Sequence, residues 1–200
     1  MASEPVRQAY SAMSDLYIEL FASGAHEHPD DLDLMRRHLG TLSGPVLDLG
    51  CGPGHLSSFL ATTCPDVTGI DLVPEFVAYA RRAHPAVQFQ LGSLTSVDRP
   101  DASVAGALAW YSLIHFGPEH VFAALEEMRR IIAPGGVVVI GFFEGDAVEP
   151  FEHKVSTAYR WPMDDFAACL AAARFQEIER LRRDQNGARR RHGAIAAVAV

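Results

Sequence analysis

Apolar residues recur along this chain with two different periods. Val6, Tyr10, Met13, Tyr17 and Phe21 fall at spacings near those of a helix and predict one amphipathic helix ending around Gly24. Leu32, Met35 and Leu39 predict a second. Short apolar runs then alternate with helical stretches, the pattern of a parallel sheet wound with helices on both faces. Strands are predicted at Val46 to Leu49, Val67 to Asp71, Val87 to Leu91, Val104 to Ala109 and Val137 to Phe142. Pro74 opens a helix with Phe76, Ala80 and Ala83 on one face, and Pro118 opens another with Val121, Leu125, Met128 and Ile132. Arg129 and Arg130 fall in that helix's last turn, where cations complement the dipole.

Ala133-Pro134-Gly135-Gly136 reads as a turn, and a polar loop runs from the end of the fifth strand to about Tyr159. Pro162, Asp164 and Asp165 then start a helix with Phe166, Leu170 and Ala173 inward. Two terminal strands follow, Phe175 to Leu181 and Ala194 to Val200, with Asp184-Gln185-Asn186-Gly187 as their hairpin turn.

Length and charge narrow the function classes. A chain of 200 residues, 48% hydrophobic, suits one domain with a full core. A net charge of -8 argues against a nucleic-acid partner, whose phosphates call for a basic face. The one basic cluster, Arg180, Arg182, Arg183, Arg189, Arg190 and Arg191, flanks the predicted hairpin and reads as a solvated edge. Three cysteines without C-x-x-C spacing suggest neither a disulfide framework nor a zinc site. With no apolar leader and no run of ~20 apolar residues, the expected setting is cytoplasmic, with no membrane partner.

The candidate chemistry centres on Val46-Leu47-Asp48-Leu49-Gly50-Cys51-Gly52-Pro53-Gly54, followed by Gly69-Ile70-Asp71. A buried strand, a glycine turn and an acid ending the next strand are the parts of a nucleoside-cofactor site. Dinucleotide folds use G-x-G-x-x-G around a pyrophosphate, but His55 occupies the third glycine's place here. Asp48, just before the first glycine, would repel a pyrophosphate and suit an ammonium.

On these residues the chain resembles the class I S-adenosylmethionine-dependent methyltransferases of the small-molecule type. The resemblance implies a Rossmann-like α/β fold: a seven-stranded, mostly parallel sheet of order 3-2-1-4-5-7-6, its last strand antiparallel, with helices on both faces. Residues 1–42 would form N-terminal cap helices on a core of 43–200, together one domain. Gly50, Cys51, Gly52 and Gly54 would lie along the methionine part of the cofactor, with Asp48 orienting its ammonium and Asp71 and Leu72 at its ribose. Gly92, Ser93 and Leu94 stand where the family meets the adenine amino group, with Ser93 replacing the commoner aspartate. Ala109 and Trp110 end the fourth strand beside the cofactor, and Tyr10 or Tyr17 would reach it from the first helix.

Ala109-Trp110-Tyr111-Ser112-Leu113-Ile114-His115 bears on the reaction type. It lacks the prolines and Asn or Asp of nucleic-acid and amide N-methyltransferases, and the carboxylates that hold magnesium in catechol-type enzymes. The resemblance is to metal-independent enzymes acting on small metabolites. His115 is the candidate general base. Tyr111, His115, Phe143, His153 and Trp161 are the candidate substrate contacts, and oxygen is the expected acceptor. A small-molecule substrate is the expected partner, and the chain leaves room for a homodimer. The rival readings are an NAD(P)-dependent oxidoreductase and a non-catalytic S-adenosylmethionine-binding protein.

Overall fold

A computed structural model describes residues 3–183 and 191–200. The predicted first helix is two: α1 (Ser3–Ala12) and α2 (Ser14–Phe21). At Met13, φ -115° and ψ 12°, the backbone N–H bonds back only three residues, to the Tyr10 carbonyl, and the axis turns. Because Met13 is itself apolar, the hydrophobic period runs through this break without registering it. α3 (Pro29–His38) follows, with the His28 side chain accepting from the Asp30 amide at its start.

The strands β1 (Val46–Leu49) and β2 (Val67–Asp71) are buried at every position, as central parallel strands must be. Between them lies α4 (His55–Leu60), and α5 (Pro74–Ala83) leads to the edge strand β3 (Gln88–Leu91). β4 (Val104–Trp110), α6 (Pro118–Ile131) and β5 (Ile132–Glu144) complete the parallel part. The predicted Ala133-Pro134-Gly135-Gly136 turn is an irregularity inside β5, whose pairing jumps from Val104↔Ile132 to Gly106↔Val137 around Gly135 at φ +80°.

The predicted polar loop contains two short strands, β6 (Glu149–Phe151) and β7 (Ala158–Trp161). They escape a pattern reading because each is three or four residues long, without alternation. β7 pairs with Phe143 and Glu144, which run past the end of β4, so it continues that strand's place in the sheet. α7 (Met163–Ala172) then leads to β8 (Phe175–Arg183) and β9 (Arg191–Ala199). The predicted hairpin turn from Asp184 to Gly187 lies outside the described residues, as do Arg189 and Arg190.

The seven strands of the expected order are therefore β3-β2-β1-β4-β5-β9-β8, with β9 antiparallel to both neighbours. β6 and β7 make the sheet nine-stranded rather than seven. One face packs on α6 and α7, where the Phe142 and Phe166 rings stack with centroids 4.4 Å apart. The other packs on α3, α4 and α5 through Leu34, Leu60 and Val77. This sandwich holds the carboxyl ends of β1, β2 and β4 rigidly side by side, the place where open parallel sheets take ligands.

Candidate active site

Above those strand ends lies an open cleft with a cavity volume of about 120 Å³. Its floor is Gly50, Gly52, Asp71, Leu72 and Gly92 to Leu94, and its far wall is Trp110, Tyr111, Ser112, His115 and Phe116. Val6, Arg7 and Tyr10 of α1 and Tyr17 of α2 roof it, with Phe76 of α5 beside them.

The three glycines of the turn serve different ends, although all have positive φ. Gly50, at φ +79°, lies so close to Ser112 that an added Cβ would come within 2.3 Å of the serine Cβ. Gly54, at φ +88°, is pressed by Phe89 and begins α4, so it does not line the cleft. Gly52, at φ +53°, faces the cleft, where an added Cβ would meet only Tyr17 Cε1 at 3.8 Å. Cys51 is buried with its thiol pushed well above its usual range by burial, and it too stands behind the lining.

Asp71 ends β2 with a buried carboxylate that faces this space. Its Oδ2 accepts from the Gly52 amide at 2.7 Å and its Oδ1 from the Val73 amide at 2.8 Å. Burial pushes its pKa up to about 6, against the pull of those amides. Asp48 behaves otherwise than the sequence reading expects. It is 1% exposed, it accepts from Ser57 Oγ of α4 at 2.6 Å, and it does not reach the cleft. The alternation of side chains along β1 sends it to the helix side, and burial raises it to about 6.

Opposite Asp71, Tyr10 and His115 meet at 2.9 Å, Oη to Nε2. His115 Nδ1 lies 2.7 Å from the Thr157 carbonyl, which can only accept, so Nδ1 carries the proton and Nε2 the lone pair. Tyr10 is then the donor. Burial lowers the pKa of His115 and raises that of the Tyr10 phenol, so both are neutral near pH 7. Tyr17, pushed up to about 12 by burial, stands edge-on to Tyr10 with centroids 5.5 Å apart.

Of the other predicted residues, Leu72, Gly92, Ser93, Leu94, Trp110 and Tyr111 line the cleft, with Ser93 Oγ 2.8 Å from Thr95 Oγ1. Ala109 is fully buried beneath it. Phe143, His153 and Trp161, expected on the substrate, stand one layer back. His153 lies against the His115 ring at 5.6 Å, Phe143 backs Tyr111 at 5.0 Å, and Trp161 packs edge-on to Phe166 in the core. The physical reason is the pair β6 and β7, which folds what reads as an open loop onto the sheet.

Sequence reasoning passes over Ser112, Phe76, Phe116, Val6, Arg7 and Glu27. Ser112 borders the cleft, and its Oγ is shielded from solvent without a hydrogen-bond partner in the chain. Glu27 accepts from Trp110 Nε1 at 3.2 Å and from His55 Nε2 at 3.1 Å, tying the segment after α2 to β4 and α4. Its neighbours His26 and His28 are polar, so nothing in the local pattern marks it.

The described arginines of the cluster near the end of the chain are engaged with acids. Arg180 pairs with Glu177 and Asp164, Arg182 with Glu144, Arg183 with Asp31 and Arg191 with Asp146. Among the described residues no group of three or more metal-ligating side chains comes together. No described helix is long and apolar enough to cross a membrane.

Residues 46–136 match a family model described as a methyltransferase domain. Malonyl-(acyl-carrier protein) O-methyltransferase from Erwinia billingiae is 33% identical over 119 residues, 60% of this chain and 45% of that protein. The chain spans about half the length of the curated relatives it matches. Among solved structures, 1,6-didemethyltoxoflavin-N1-methyltransferase of Burkholderia thailandensis, with its substrate and S-adenosylhomocysteine bound, superposes with a TM-score of 0.75 at 23% identity. That match covers 96% of this chain and 90% of that one. The (4+2)-cyclase SpnF superposes at 0.82 with 18% identity, covering 100% and 97%. These likenesses give the fold, the Rossmann-like one of class I methyltransferases, and one of the two neighbours on it is a cyclase, so the reaction must be argued from the site.

Proposed function

We propose that this chain, whose residues 46–136 match the methyltransferase-domain family model, transfers a methyl group from S-adenosylmethionine to an oxygen of a small molecule without a metal ion. The observation that carries the reading is the pairing, across one cleft, of buried Asp71 beside unobstructed Gly52 with the neutral Tyr10–His115 couple. The residues fit the cofactor. Each Asp71 oxygen has given one lone pair to a backbone amide and keeps another for a ribose hydroxyl. Gly52 lets backbone approach the chain that joins ribose to amino acid, and unpartnered Ser112 Oγ offers a bond at that end. Leu72, Ser93 and Leu94 would flank the adenine, and the Tyr17 and Phe76 rings line the same cleft, where a ring face attracts a cation by about 0.5 to 2 kcal/mol.

The cofactor supplies a methyl group made electrophilic by its positively charged sulfur. On the protein's side, Tyr10 passes its hydroxyl proton to His115 Nε2 and takes the acceptor's proton in exchange. The acceptor oxygen forms the new bond to carbon while the electron pair of the broken carbon–sulfur bond stays on sulfur. One positive charge leaves the sulfur and one appears on His115, so charge balances. Alignment in the closed cleft contributes the larger share, roughly 7 to 11 kcal/mol, against a 10²- to 10⁴-fold effect typical of a base. The segment from Tyr111 to Pro118 after β4 carries no carboxylate to hold a metal.

We also read residues 1–42 as a cap on the core 43–200 within one domain, working in the cytoplasm. Transfer of a labelled methyl group from S-adenosylmethionine to a panel of small hydroxyl, amine and carbon acceptors tests the activity. Label on a hydroxyl is expected. Silence across the panel despite tight binding of S-adenosylhomocysteine contradicts catalysis.

A further inference from the structure

We infer that the acceptor is a flat, uncharged aromatic compound bearing a phenolic hydroxyl, held between the rings that close the far end of the cleft. This rests on the methyl-transfer reading of the same site. Once Asp71 and the glycine turn are assigned to the cofactor, the remaining wall is Tyr10, Trp110, Tyr111, His115 and Phe116.

The wall is rigid as well as aromatic. Tyr111 sits at φ +53°, a conformation that persists only where the surroundings hold it. Its ring is fixed edge-on to Trp110 at 5.3 Å and against Phe143 at 5.0 Å, and its hydroxyl is bonded to His192 Nδ1 of β9. His115 is fixed by Thr157 behind and Tyr10 in front. Fixed ring faces and edges favour offset or edge-to-face contact with another ring over the changing outline of an aliphatic chain.

Charge argues for a neutral ligand. Among the described residues the only cation lining the cleft is Arg7, and its charge is already paired with Glu4, Nε to Oε2 at 2.9 Å and Nη2 to Oε1 at 2.5 Å. Glu75 stands nearby at the mouth, accepting from Ser11 Oγ at 2.7 Å. With Glu4 and Glu75 against one arginine, a carboxylate or phosphate entering at the mouth meets a net negative field. A protonated amine would be attracted but has no lone pair to offer. A phenol enters neutral, is acidic enough for a neutral imidazole to take its proton in the transition state, and finds Tyr10 Oη as its bonding partner.

Three matched probes separate ring shape from charge. The affinities of 2-naphthol, 2-naphthoate and decahydro-2-naphthol are measured calorimetrically on the full chain, with and without saturating S-adenosylhomocysteine. The naphthol is expected to bind at least about tenfold more tightly than either companion, a difference of ~1.4 kcal/mol. A naphthoate ratio below ten overturns the uncharged class, and a decahydro-naphthol ratio below ten overturns the flat one. Absence of S-adenosylhomocysteine binding instead defeats the cofactor reading, and the comparison made without it still decides the acceptor class.

Discussion

The Tyr10 hydroxyl, on α1, lies 2.9 Å from Nε2 of His115, which is 105 residues away in sequence, and the two close the cleft from opposite sides. Because the Thr157 carbonyl holds Nδ1, the only basic site left on the imidazole is the one that Tyr10 covers. His115→Ala is therefore expected to keep its affinity for S-adenosylhomocysteine within about threefold and to lose about 10²- to 10⁴-fold in turnover. Tyr10→Phe, which removes the relay but keeps the ring, should fall in the same direction. Unchanged turnover on the true acceptor in His115→Ala removes the base from the mechanism.

The pH dependence divides between two groups. Burial lowers His115 below its ordinary 6.5, so the lone pair survives as pH falls through neutrality and is lost only at lower pH. Asp71, raised to about 6, becomes protonated in the same direction but acts on cofactor binding. In steady-state rates, kcat should hold from pH 8 to 6.5 and drop only below it, while kcat/KM begins to drop near pH 6. An acid limb of kcat lying above 6.5 contradicts the assignment to a desolvated histidine.

Asp48 predicts a gain in stability rather than a loss. Its folded pKa of about 6 exceeds the ordinary 3.8 of an aspartate, so the folded state binds the extra proton between those values and loses stability as pH rises through them. Asp48→Asn can still accept from Ser57, whose hydroxyl rotates freely, and removes the buried charge. Chemical denaturation at pH 7.5 should show it about 1 to 3 kcal/mol more stable than the parent. The advantage should shrink steadily as pH falls from 6 towards 4.

The turn glycines should respond differently to the same substitution. Gly50→Ala places a methyl 2.3 Å from the Ser112 Cβ at positive φ, and no small side-chain movement relieves a contact between two Cβ atoms. It should cost several kcal/mol or prevent folding, beyond the ~1 to 2 kcal/mol of the left-handed backbone alone. Gly52→Ala bears the backbone cost but has open space, so it should fold and lose S-adenosylhomocysteine affinity because the methyl stands in the cleft. Equal thermal stability of the two variants, with equal binding, contradicts the division of roles.

Much of this was legible in the chain wherever a residue's role follows from its neighbours in sequence. β1, β2 and β4 are short, mainly apolar segments, and Asp71 ends the second, so the strand ends and the acid could be placed without a structure. The hydrogen bond from Tyr10 to His115 could not be, because it joins the first helix to the loop after β4. Asp48 misleads for a similar reason: it sits beside the first glycine, yet the strand's alternation turns it to Ser57 on α4. Phe143 and Trp161 look like loop aromatics until β6 and β7 are seen to fold that segment against the sheet. Ser112 is visible in the sequence, but only the structure shows that its hydroxyl lacks a partner.

The central claim is that the cleft between Asp71 and His115 holds S-adenosylmethionine, and calorimetric titration of S-adenosylhomocysteine into the parent and Asp71→Ala tests it most directly. Hydrogen bonds to a charged group are worth about 1.5 to 3 kcal/mol, so the parent should bind at one site and the folded variant about 10- to 100-fold more weakly. Equal affinities in the two proteins, or binding of NAD in place of S-adenosylhomocysteine, would contradict the account.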